Sequence, residues 1–163
     1  TTTCADEPTR RRKKTEGPMP PRVRNLDEVD QTVTVPWDAA SAEQARSRLR
    51  ASLEHERVDD RTLDEAVQVV SELVANAVQH AGPMPGDVLR VHWTLRKGVV
   101  EVDVTDGGSS STPHPVRQTP WQTRGRGLRI VRAYAHEWGY LDQPNGSRTV
   151  WAALGGPSRR RTR

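Results

Sequence analysis

The stretch from Asp60 to Ala81 constrains the fold more than any other part of the chain. Leu63, Ala66, Val67, Val70, Leu73, Val74, Ala77 and Ala81 recur at helical spacing, so the segment predicts an amphipathic helix with one buried side. Gly82-Pro83 ends it. Each helical residue advances by about 100 degrees, which gathers Glu72, Asn76 and His80 into a polar sector beside that stripe. A carboxylate and a carboxamide four residues apart can hold a base and an oxygen ligand over one bound molecule. Helix geometry alone also allows plain solvent-facing residues.

Strands flank this helix. Thr32-Val33-Thr34-Val35 alternates with β-branched residues and predicts an edge strand that Pro36 halts. Asp38 or Ser41 can cap a helix to about His55, with Ala42, Ala45, Leu49 and Leu53 on one face. Val88 to Leu95 alternates, Lys97-Gly98 turns the chain, and Val99 to Val104 returns as a hairpin partner. From Asp106 to about Arg124 there is almost no apolar period, and a connection of that length is usually functional or mobile. A third helix starts near Gly125, and strands near Trp138–Leu141 and Arg148–Leu154 are joined by an Asn145-Gly146 turn. This order implies an α+β sandwich with the helices layered on one face of the sheet.

At 163 residues one domain is expected, placed at 32–155 between a polar disordered leader, 1–31, and a basic tail, 156–163. The net charge of +4 invites a nucleic-acid partner, yet the excess sits in the tails, at Arg10 to Lys14 and Arg159 to Arg163. The core is nearly neutral and shows no basic face, which argues against nucleic acid. No window is apolar enough for a membrane helix or a secretory signal, and Cys4, the only cysteine, can form no internal disulfide. A soluble, cytoplasmic protein is expected. None of the five His falls in a metal-binding pattern with Cys or acids, which argues against zinc or iron.

Chemistry gathers when the later segments join the polar sector. Asp106 ends a strand at the mouth of the long connection, where a carboxylate can accept from an exocyclic amine such as that of adenine. Gly107 and Gly108 permit close backbone approach. Gly125 and Gly127 open a helix whose first N–H groups and dipole attract phosphate.

Three segments then match a known pattern in order. Glu72-Leu73-Val74-Ala75-Asn76-Ala77-Val78-Gln79-His80 resembles the N box of the Bergerat-fold ATPases, the superfamily of gyrase, histidine kinases and MutL. Asp106-Gly107-Gly108 resembles the start of its first glycine box, and Gly125-Arg126-Gly127-Leu128 its second. The compact form, together with Trp138-Gly139 and Thr149-Val150-Trp151-Ala152-Ala153-Leu154, is similar to the single-domain anti-sigma-factor serine kinases of Gram-positive bacteria, over roughly Val33 to Leu154.

The resemblance implies a two-layer sandwich with a mixed, mostly antiparallel sheet, and it implies ATP and magnesium as cofactors. By the same resemblance Glu72 is the general base, Asn76 the magnesium ligand and Asp106 the reader of the adenine amine. Gly108 lets the base pack close, Gly125, Gly127 and Leu128 form the phosphate-side turn, and Thr149 supports adenine. Magnesium keeps waters and phosphate oxygens, so one Asn suffices. Arg124 and Arg126, and less so Arg117, are either phosphate-neutralising or solvated loop charges. His80 either buttresses the N box or is an ordinary partly buried His.

The pattern departs from the family at Ser110, which stands where a second glycine is common and puts loop closure and turnover in doubt. The implied activity is serine phosphorylation by an anti-sigma factor, the alternative a nucleotide-dependent switch without transfer. The implied partners are a sigma factor or its antagonist, with Arg46 as a partner contact, and a homodimer.

Overall fold

In a computed structural model of the chain, which describes residues 28–109 and 126–156, the elements run β1 (Glu28–Pro36), α1 (Ser41–Leu53), α2 (Asp60–His80), β2 (Val88–Arg96), β3 (Val99–Asp106), α3 (Arg126–Tyr134), β4 (Glu137–Asp142) and β5 (Arg148–Gly155). The strands form one sheet in the order β1-β2-β3-β5-β4. Every neighbour pairing is antiparallel, with no parallel pair among the described residues.

Alternation along the strands decides what each face meets. Leu89, Val91, Trp93 and Leu95 of β2 are fully buried, and so are Val100 and Val102 of β3 and Ala152 and Leu154 of β5. These side chains face the helices. α2 packs on β3 and β5, α1 on β1 and β2, and α3 on α2 and β4, so among the described residues the sheet has one covered face and one open face. Among the described residues, no helix is long and apolar enough to cross a membrane.

Local chemistry sets the helix starts. The Asp59 carboxylate accepts from the Thr62 backbone N–H at 2.9 Å and from its hydroxyl at 2.6 Å, fixing the first turn of α2. Those bonds, the hydroxyl's first, hold the Asp59 carboxyl below its ordinary range. At α1 the expected cap takes another form. Ala40 occupies the N-cap position without a side-chain cap, while Asp38 accepts from the Ala40 N–H at 2.8 Å and pairs with the Ser41 hydroxyl at 3.0 Å.

Two boundaries differ from expectation. α1 ends at Leu53 rather than near His55. β1 starts at Glu28, so residues 28–31, assigned to the leader on their polar composition, belong to the sheet. Asp30 explains the extension, because its carboxylate lies 3.1 Å from the His92 ring and 3.6 Å from the Arg96 guanidinium on the neighbouring strand.

Candidate functional site

Three chain segments meet where α2 and β3 end. The Gly82 N–H donates to the Gly108 carbonyl at 3.0 Å and the Gly107 N–H donates back to the Gly82 carbonyl at 2.8 Å. A Cβ on Gly107 would lie 2.0 Å from the Pro83 carbonyl oxygen, and one on Gly108, where φ is +85°, would lie 2.1 Å from that of Gly146. The space that a side chain at 108 would fill is therefore taken by the β4–β5 turn. The chain's own packing already requires glycine at 108.

Asp106 sits at this junction with 3% of its surface exposed. One carboxylate oxygen accepts from the Gly108 N–H at 2.7 Å, closing a tight loop. Burial pushes its carboxyl above the ordinary carboxylate range, against the opposing pull of the Gly108 N–H and of Arg148. Cross-strand pairing sets Asp106 opposite Arg148, and Arg148 opposite Asp142, in one row across β3, β5 and β4. Arg148 is 8% exposed, its Nε donates to Asp142 at 2.5 Å, and its guanidinium carbon lies 5.2 Å from the Tyr140 ring centre.

On α2 the three polar residues separate. The Asn76 amide nitrogen is buried and finds no hydrogen-bond partner among the described residues. A buried donor without an acceptor is costly, so a carboxamide in that state fits a missing polar ligand. Its carbonyl oxygen is also the donor type that magnesium accepts, so Asn76 fits the role the sequence resemblance implies. No group of three or more His, Cys, Asp or Glu among the described residues could hold a metal by itself. Glu72 is half-buried, and its carboxylate accepts from Gln68 at 3.3 Å. His80 is exposed in the last turn of the helix, so the partly buried reading does not hold.

α3 packs against α2 and opens at Arg126, with Gly127 in its first turn and Leu128 half-buried. Ser110, Arg117, Arg124 and Gly125 lie outside the described residues. Arg46 is exposed on α1, 3.7 Å from Glu43.

Thr149 falls on the opposite side of the sheet. Its hydroxyl lies 2.8 Å from that of Thr105, which accepts from Arg90 at 3.2 Å. With Trp151, Arg90, His92 and Asp103 it lines an open groove of about 490 Å³ on the face away from the helices. That is the face opposite Asp106 and α2, because strand neighbours one residue apart point to opposite faces. In that groove the His92 ring lies 2.6 Å from Asp103 and 3.1 Å from Asp30. Burial disfavours charging the ring, but the two carboxylates outweigh it and raise its pKa.

Ser147 and Arg148, both buried beside Asp106, were missed by the sequence reading. Ser147 donates its hydroxyl to Asn145 at 2.7 Å. For Arg148 the signal was present: Val150, Ala152 and Leu154 are apolar at every second position, which places 148 on the covered face and 149 on the open one, whereas Ser147 precedes the strand.

Residues 35–153 match the model of the family described as the histidine kinase-like ATPase domain. Among solved structures, the chain is similar to the crystal structure of the RsbU and RsbW domains of Rv1364c from Mycobacterium tuberculosis, with a TM-score of 0.58 and 24% identity. That match covers 82% of this chain and 35% of the other, so the likeness concerns the fold of one part of a longer protein. No curated protein matches the chain.

Proposed function

The chain belongs to the histidine kinase-like ATPase family, and on that premise we propose that it is an ATP-binding anti-sigma factor that phosphorylates a serine of its protein antagonist. The observation that carries the nucleotide site is the Asn76 amide, buried and unsatisfied on the helix whose end is hydrogen-bonded to the Asp106 loop. The similarity of the three boxes to the anti-sigma serine kinases supports the choice of activity.

Each residue then has one task. Asp106 accepts from the exocyclic amine of adenine, with Ser147 beside it in place of Thr149. Gly125, Gly127 and Leu128, with Arg124 and Arg126, receive the phosphates at the start of α3. Asn76 would hold magnesium, which would neutralise phosphate charge when bound. Glu72 takes the proton from the attacking serine hydroxyl as its oxygen bonds to the γ-phosphorus and ADP departs. Arg46, exposed on α1, lies where a protein partner can reach it. The family likeness further suggests a homodimer.

Incubation with labelled ATP and a candidate antagonist tests this reading. Phosphoserine is expected on the antagonist, with Glu72→Ala abolishing transfer and sparing nucleotide binding. Equal transfer by that variant rejects Glu72 as the base. Ser110, in place of the family's glycine, favours a second reading in which nucleotide loading governs partner binding without transfer. Nucleotide-dependent capture of the antagonist with no phosphoserine would select it.

A further inference from the structure

Arg148 is the one buried cation on the covered face that the proposed reaction leaves without a task among the described residues. A buried guanidinium is costly to desolvate and is kept where its charge is used. Asp142 holds it by the Nε–carboxylate bond and Tyr140 lies against it, so its position is fixed from the β4 side. On the β3 side its cross-strand neighbour is Asp106.

We propose that Arg148 is a positioning residue of the base pocket: anchored by Asp142 and Tyr140, it fixes the charge and aim of Asp106, and thereby selects a nucleobase that donates at its six-position over one that accepts there. The proposal rests on Asp106 being the base reader. An ionised carboxylate can only accept hydrogen bonds, which suits the amine of adenine. A protonated one can donate, which suits the oxygen of hypoxanthine or guanine. Asp106 needs the help, because burial acts against its ionisation.

Few charges among the described residues act on Asp106. Arg148 from β5 favours its ionised form, Asp142 from β4 opposes it, and the Gly108 N–H favours it from the loop. α2 meets β3 through the apolar stripe that includes Leu73 and Ala77, and neither Glu72 nor His80 of that helix is among the groups acting on Asp106. Arg90 of β2 is on the other face, bonded to Thr105. Removing Arg148 therefore takes away the only side-chain charge among the described residues that favours an ionised Asp106. Without the opposing guanidinium charge the Asp106 carboxyl should move further above its ordinary range.

The test compares wild type, Arg148→Met and Arg148→Lys by calorimetric titration with ATP and with ITP between acid and neutral pH. Comparing variants with the same nucleotide at each pH cancels that nucleotide's own ionisation. In Arg148→Met the pH at which ATP affinity halves should rise, and the preference for ATP over ITP should narrow. Arg148→Lys, which keeps the charge, should stay near wild type. An unchanged midpoint and ratio in Arg148→Met overturns the proposal.

Carbon-13 NMR of the Asp106 carboxyl in nucleotide-free protein separates the two possible failures. If wild type binds neither nucleotide, the base-reader assignment fails, and an Asp106 midpoint that does not rise in Arg148→Met sinks the Arg148 proposal independently. Arg148→Gln, which can still hydrogen-bond Asp142, carries the same comparison if the Met variant does not fold.

Discussion

The two faces of this sheet are built from the same strands and do different work. On the covered face Asp106 and Arg148 sit in a closely packed corner with Ser147, under the end of α2. On the open face Thr105 and Thr149, each one residue away, join Arg90, His92 and Asp103 in a groove that no helix among the described residues covers. Strand parity alone assigns neighbouring residues to a buried site or to an open surface. The rigidity also differs: backbone meets backbone at Gly107 and Gly108, whereas side chains meet on the open face.

A pair of glycine substitutions sharpens that contrast most. Gly108→Ala places a methyl 2.1 Å from the Gly146 carbonyl oxygen at a φ of +85°, so backbone must move. It should cost about 2–4 kcal/mol in chemical denaturation. Gly139→Ala on the open face meets the Trp151 indole at 3.1 Å, a side chain able to shift, and should cost about 1 kcal/mol or less. Equal losses would break the comparison.

Next in size is a pair of binding variants. Asp106→Asn should weaken ATP binding roughly 10- to 100-fold, from loss of a charge-assisted hydrogen bond, while Thr149→Val should leave calorimetric affinity within about twofold, as expected for a surface change away from the ligand. The Asn variant should not be less stable at neutral pH. Its sign follows from the raised Asp106 pKa: the stability linked to this group is present below the ordinary carboxylate value and lost as pH rises through the folded one. Asparagine escapes that loss. A lower melting temperature for Asp106→Asn at pH 7 would contradict it.

The smallest expected effect lies at His92. Its raised pKa means that its stabilising bridge between Asp30 and Asp103 is complete below the ordinary value of 6.5 and fades as pH rises through the folded one. His92→Asn should therefore cost about 1 kcal/mol at pH 5.5 and less at pH 9, read by denaturant melts at both values. A cost independent of pH would show that the bridge holds no charge.

Elements with local signals were legible in the sequence. The α2 stripe, the Lys97-Gly98 turn with both φ values positive, and the Asn145-Gly146 turn all depend on residues close together in the chain. The start of β1 was not legible, because Glu28, Asp30 and Gln31 are polar and exposed around a single Val29, and Asp30 meets His92 and Arg96 only once β2 is alongside. The role of Gly108 was hidden for the same reason, since Gly146 reaches it across the fold. Motif likeness gave Thr149 a role at the adenine without saying which face it occupies, and the alternation of Val150, Ala152 and Leu154 places it on the open one. Similarity locates a strand, and parity decides which of its residues face the site.

The central claim is that nucleotide enters on the covered face between α2 and the Asp106 loop. Titrating nitrogen-15-labelled protein with magnesium-ATP and following every assigned amide tests it directly. The account predicts shifts concentrated at Asn76, Gly107, Gly108, Ser147 and Leu128, with Arg90, His92, Thr149 and Trp151 nearly still. Shifts centred on the open groove, with the α2 end unmoved, would contradict it.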